Sequence, residues 1–168
     1  KFQGQNLWIG AARGLARFEP SSGRFTAIPL KDPARQRNVA VFDLEEGPQG
    51  RLWLVTEAGL AWVDPQDLSY GFLQDTAGGV ALAGTQPRDL AWESPTRGWV
   101  ATEKGCIAAV HFLGENRVAL SYHLPNPDDP NSLVNQSFRS ILVSEKYVWT
   151  GSIQGLFRIS RATHKFEH

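Results

Sequence analysis

The chain has no methionine, a single cysteine and no excess of either charge, with 17 Lys plus Arg against 17 Asp plus Glu in 168 residues. One cysteine makes no internal disulfide and leaves a zinc site without a second thiolate. A neutral balance offers no basic stripe to nucleic acid or to an anionic lipid surface, so neither a nucleic-acid partner nor direct membrane contact by this segment is expected. No apolar run reaches the roughly 18 residues that a spanning helix needs. The opening "KFQGQNLW" lacks the charged-then-apolar build of a signal peptide. With no initiator methionine, the chain is expected to be a piece of a longer or processed protein. Helical periodicity is missing too, because Gly and Pro interrupt every longer stretch before an i, i+3, i+4, i+7 apolar pattern is sustained. Disorder is excluded by a hydrophobic content of 42% against 20% charged residues.

What the sequence does have is a recurring Trp–Gly pair. "LWIGAARGLARF" near the start and "VWTGSIQGLFRI" near the end both place a Gly six residues after a Trp. Trp8–Gly14, Trp53–Gly59, Trp99–Gly105 and Trp149–Gly155 all share that spacing, and successive Trp residues lie 45, 46 and 50 positions apart. A fixed period of this size signals a stacked or radial repeat architecture.

Each copy divides into short apolar or alternating runs bounded by turn residues. Around Trp53 these are "VAVFDL", "RLWLVT", "LAWVD" and "SYGFLQ", with Gly and Pro confined to the connections. Four antiparallel strands per unit of about 45 residues describe the blade of a β-propeller. The fold expected is therefore all-β, with about four four-stranded blades at 1–30, 31–76, 77–124 and 125–168. The first copy begins at its second strand, so it is expected to lack its inner strand, and the whole reads as an arc of a larger ring. In each unit the Trp is expected to fill the space between neighbouring sheets. The Gly is expected where the second strand turns into the third and positive φ or close backbone approach is required. These eight positions are structural. Cys106 occupies the slot after the repeated Gly, where the other copies have Leu15, Leu60 and Leu156, and is read as a small buried apolar residue.

Taken in register, "NLWIGAARGLARFEPSSGRF", "RLWLVTEAGLAWVDP" and "NPDDPNSLVNQSFRSIL" followed by "YVWTGSIQGLFRISRATHKF" resemble the two-component regulator propeller repeat family. The fourth unit matches almost throughout. The third departs from the pattern, with "GCIAAVHF" in place of the usual "GL-x-R-F". The resemblance implies a periplasmic, ligand-sensing module of a membrane-bound histidine kinase, hybrid two-component system or diguanylate cyclase. It implies a small-molecule ligand, such as a carbohydrate, and no catalysis within this segment.

Ligand chemistry in a propeller belongs to the loops that lead into the inner strands and those joining the second and third strands. These loops hold Arg13, Arg37, Glu57, Arg88, Lys104, Gln136, Arg139 and Gln154, together with Glu103. Arg88 and Arg139 come within one residue of equivalence in the repeat. Arg and Gln suit hydroxyl and carboxylate ligands because they present several fixed donors. The plainer alternative for each is a solvated loop residue or an inter-blade hydrogen bond.

No catalytic residue, metal site or cofactor is expected. "NPDDPNS" carries oxygen donors in Asp128, Asp129 and Asn131, but it lacks calcium-loop spacing and reads as a stiff connection. His111, His123, His164 and His168 have no metal-binding spacing. A propeller lyase or hydrolase resembling the streptogramin lyases is the competing reading, and it would need a His or carboxylate on the ligand face. A protein-interaction propeller is a third, although the Gly-His and Trp-Asp signatures of scaffold propellers are missing. Partners of the segment are expected to be the ligand and either further blades or a second copy of the chain.

Overall fold

A computed structural model describes residues 1–126, 128, 132, 133 and 137–167. Among these described residues, sixteen strands form four four-stranded antiparallel sheets, each built from consecutive strands. The first contains β1 (Phe2–Gln3), β2 (Asn6–Ala11), β3 (Gly14–Glu19) and β4 (Arg24–Ile28). The second has β5 (Val41–Glu46), β6 (Leu52–Thr56), β7 (Gly59–Val63) and β8 (Tyr70–Phe72). The third has β9 (Pro87–Ser94), β10 (Arg97–Thr102), β11 (Ile107–Gly114) and β12 (Arg117–His123). The fourth has β13 (Phe138–Val143), β14 (Tyr147–Ser152), β15 (Gly155–Ser160) and β16 (Phe166–Glu167).

The sheets stack side by side like propeller blades. β5, β9 and β13 are the neighbouring inner strands, and β2 meets β5 at the first joint. Each joint is an apolar core between two sheets. Trp8 and Leu15 of the first sheet meet Leu52 and Leu54 of the second; Trp53 and Leu60 meet Val100 and Ala108; Trp99 and Ile107 meet Val148 and Ile159. Trp8, Trp53 and Trp99 are at most 1% exposed. Burying one Trp against the next sheet is worth about 4 to 6 kcal/mol in transfer free energy, counted from an extended chain. In the second sheet, β6 and β7 are buried at every position. Covered on both faces, they read as the continuous apolar runs "LWLVT" and "GLAWV" rather than as alternation.

Two details correct the sequence reading. The inner position of the first sheet is not vacant: the chain turns at Gly4 (φ +59) and pairs Phe2 with Leu7 and Gln3 with Asn6. It is a two-residue stub, against six to eight residues in β5, β9 and β13. The second correction concerns the third hairpin. Ala11 pairs with Gly14, Thr56 with Gly59 and Ser152 with Gly155, whereas Ala101 pairs with Ile107. The β10–β11 turn is one residue longer, so Cys106 takes the register position of the repeated glycine and Ile107 that of Leu15, Leu60 and Leu156. Gly105 (φ +74) serves the turn itself. At Gly59 the expected reason holds on both counts. Its φ is +126, and a Cβ would lie 2.4 Å from the Ala81 carbonyl oxygen.

Candidate ligand face

The inner strands carry the geometry of the site. In each of the last three sheets the pairing with the second strand shifts by one residue near the start of the inner strand, between Val41 and Asp43, Pro87 and Asp89, and Phe138 and Ser140. The bulged residues are Phe42, Arg88 and Arg139, which makes the two arginines equivalent in the repeat. A bulge re-aims its side chain, and here it brings three equivalent side chains to one end of the inner strands. The second-to-third-strand turns abut the same end, since the Glu57 and Glu103 amides donate to the Ala40 and Gln86 carbonyls at 2.9 and 3.0 Å.

Five charged groups stand at this end, in two clusters. Arg88 donates to Glu103 Oε2 at 2.6 Å within the third sheet, and Arg139 reaches Glu103 Oε1 from the fourth at 3.2 Å. Arg37 forms a two-pronged pair with Glu57. The Arg88 guanidinium also lies over the Phe42 ring, 4.2 Å from its centroid. Hydrogen bonding from Arg37 holds the Glu57 carboxyl below its ordinary pKa, and Arg88 does the same for Glu103. Arg37 is raised in turn by Glu57. Beside these pairs lies a hollow of about 490 Å³ whose rim includes Arg35, Glu57, Gln86 and Lys104.

Of the residues expected at a ligand face, Arg37 is brought to Glu57, Arg88 and Arg139 share Glu103, and Lys104 lines the same hollow as Glu57. Arg13 and Gln154 are exposed in the equivalent turns of the first and fourth sheets, at the two ends of the arc. Gln136 lies outside the described residues, as do Asp129 and Asn131 of the "NPDDPNS" segment. Phe42 and Arg35 were missed. Phe42 is found by aligning the three inner strands at the residue preceding Asp43, Asp89 and Ser140. Arg35 carries no comparable signal. No group of three or more His, Cys, Asp or Glu is arranged to hold a metal among the described residues.

A second device, also unread in the sequence, joins the sheets. Asp43 accepts the Leu90 amide of the next inner strand at 3.0 Å, and the equivalent Asp89 accepts the Ile141 amide at 2.7 Å. Desolvation pushes Asp89 up to about 7, with Asp43 close by adding to the shift. Asp89 is thereby committed to a joint rather than to an open face. The histidines stand elsewhere: His123 stacks on Trp99 at 5.3 Å, and burial lowers its pKa.

No protein-family model and no curated protein matches the chain. Solved structures do. The extracellular domain of the putative hybrid two component system BT4673 from B. thetaiotaomicron is similar at 22% identity and a TM-score of 0.71, over 90% of this chain and 19% of that one. The Cps50 (Swd1) β-propeller domain of Myceliophteria thermophila is similar at 12% identity and 0.70, over 99% of this chain and 57% of that one. PorZ, a surface component of the type-IX secretion system of Porphyromonas gingivalis, is similar at 15% and 0.64, over 97% and 25%. The fold is that of a β-propeller. The chain spans about a fifth of the BT4673 extracellular domain, and no helix in the described residues is long and apolar enough to cross a membrane.

Proposed function

We propose that this chain is part of the ligand-sensing propeller of a membrane-bound signal-transduction protein, lying on the periplasmic side and binding a small polar ligand without transforming it. The observation that carries the reading is the pair of ion clusters at one end of the inner strands, Arg37 on Glu57 and Arg88 with Arg139 on Glu103, with Glu57 also on the rim of the hollow bordered by Arg35 and Lys104. Fixed guanidinium groups with exchangeable carboxylate partners suit a ligand rich in hydroxyls and bearing a carboxylate, such as an acidic oligosaccharide. The similarity to the extracellular domain of a putative hybrid two component system supports the same direction. A general acid or base works best with a pKa near the operating pH. Glu57 and Glu103 are held low by their arginines, which favours binding over the lyase or hydrolase reading.

Titration calorimetry with uronic-acid oligosaccharides, and with neutral oligosaccharides as controls, tests this. The acidic ligands are expected to bind and Arg139→Ala to weaken them by about tenfold to a hundredfold, the usual worth of a hydrogen bond to a charged group. Equal affinity for neutral ligands, or binding unchanged in Arg139→Ala, contradicts the reading.

A further inference from the structure

The charges at the ligand end of the inner strands do not cancel, and the excess falls at two stations. The hollow of about 490 Å³ is lined by the β6–β7 turn, the β10–β11 turn and the connections that lead into β5 and β9. Around it Arg35, Lys104 and the Glu57-bound Arg37 stand against Asp32 and Glu57, three cations against two carboxylates. At the other station Arg88 and Arg139 share the single carboxylate of Glu103. Each station therefore keeps one positive charge over.

At the hollow the excess rests on side chains with nothing to hold. Arg37 is clasped by Glu57, and the Asp32 carboxylate, 6% exposed, accepts the Ala34 and Arg35 amides at 2.8 and 3.1 Å. The Arg35 guanidinium and the Lys104 ammonium are left without a hydrogen bond or ion pair among the described residues. The two amide bonds to Asp32 fix the turn from which Arg35 projects, so its position is set before a ligand arrives. The floor is apolar, formed in part by Ala58 and Val80. The volume lies within the roughly 300 to 1,000 Å³ of small-molecule pockets. At the second station Arg88 Nε is likewise without a partner.

Short stretches of backbone join the two stations. Lys104 follows Glu103 directly in the β10–β11 turn. Gln86, on the rim of the hollow, stands two residues before Arg88, about 7 Å along an extended chain. Given the ligand-binding role proposed above, we propose that the two stations take two acid groups of one ligand, the first on Arg35 and Lys104 in the hollow and the second on Arg88 and Arg139. The ligand class is then a small diacid. An acid group arriving at Arg35 and Lys104 displaces no carboxylate, whereas one arriving at Arg139 shares its guanidinium with Glu103, so the hollow is the tighter station. A ligand seated in the hollow presents its second acid group to Arg139 at high effective concentration.

Titration calorimetry with two disaccharides of equal length tests this, one made of two uronic acids and the other of one uronic acid and one neutral sugar. The diacid is expected to bind about tenfold tighter or more, the worth of a further hydrogen bond between charged groups. Arg35→Ala combined with Lys104→Ala, both at exposed positions, is expected to leave the melting transition in place and to bring the two affinities within about twofold. Lys146→Ala, in the β13–β14 turn at the other end of the sheets, is expected to change neither affinity. Equal affinity of the unaltered chain for the two disaccharides overturns the proposal and leaves the reading of a ligand with one acid group standing. A diacid preference that Arg139→Ala removes and the double variant keeps overturns it too, because no acid group is then held in the hollow. Loss of the preference in Lys146→Ala assigns it to overall charge and has the same consequence. Absence of binding by either disaccharide overturns the ligand-binding role itself and this proposal with it.

Discussion

The first joint and the open face of the fourth sheet contain the same three residues in two environments. Trp8, Gly10 and Leu15 lie under the second sheet, with Trp8 and Leu15 buried, whereas Trp149 is only half-buried and Leu156 stands 67% exposed. The difference lies in what covers the face, since sequence and register agree. In a repeat array, stability is a sum of terms within units and between neighbours. An identical motif therefore contributes little where the neighbour is missing.

The largest effect that would break this comparison is removal of the Trp itself. Trp99→Ala is expected to cost about 3 to 5 kcal/mol, the usual range for a fully buried aromatic. Trp149→Ala in the dilute chain should cost about 1 to 2 kcal/mol, because much of that surface is already in water. Urea unfolding of both variants measures the gap, and equal costs would mean that the open face is covered.

Glycine gives the next contrast. Gly59 and Gly155 share a φ near +130, at +126 and +134, but a Cβ at Gly59 meets the Ala81 carbonyl at 2.4 Å while none of its contacts has a counterpart at Gly155. Gly155→Ala should lose about 1 to 2 kcal/mol through backbone strain. Gly59→Ala should lose about 2 kcal/mol more, since the turn and the Ala81 segment cannot both keep their places. Thermal melts of the two variants side by side separate strain from contact.

The smallest effect concerns the joint between the third and fourth sheets. Asp89 is raised to about 7 in the fold, against a usual value of about 3.9 when unfolded. Between those values the folded state keeps a proton that the unfolded state has lost, so stability falls as pH rises from about 4 to about 7. Asp89→Asn keeps an acceptor for the Ile141 amide and removes the buried charge. It is expected to gain about 1 kcal/mol at pH 8, after allowance for partial solvent exposure, and nothing at pH 4. Melting curves at the two pH values check the sign.

The repeat made most of the fold legible. A Trp–Gly spacing kept through four copies located the second and third strands of every sheet, because a residue filling an inter-sheet gap and one making a tight turn are both hard to replace. The third copy was read one residue out of register. Trp99 and Gly105 keep the spacing, yet the turn between Thr102 and Cys106 absorbs an extra residue that only strand pairing reveals. The ligand face was legible in part. Arg37, Glu57, Arg88, Lys104 and Arg139 stand out as polar residues in equivalent loops, but the pairing of two arginines on Glu103 depends on a bulge and on the neighbouring sheet. The Asp43 and Asp89 links were invisible for the same reason: each carboxylate meets an amide 47 or 52 residues away, on the next inner strand.

Hydrogen exchange of the dilute chain, resolved strand by strand, tests most directly whether a covering neighbour decides what a repeated motif contributes. Opening free energies follow burial and neighbouring contacts. β6, β7, β10 and β11 are expected to exchange slowest, and β14 and β15 measurably faster despite carrying the same Trp–Gly motif. Protection of β14 and β15 equal to that of β10 and β11 at high dilution would contradict the account.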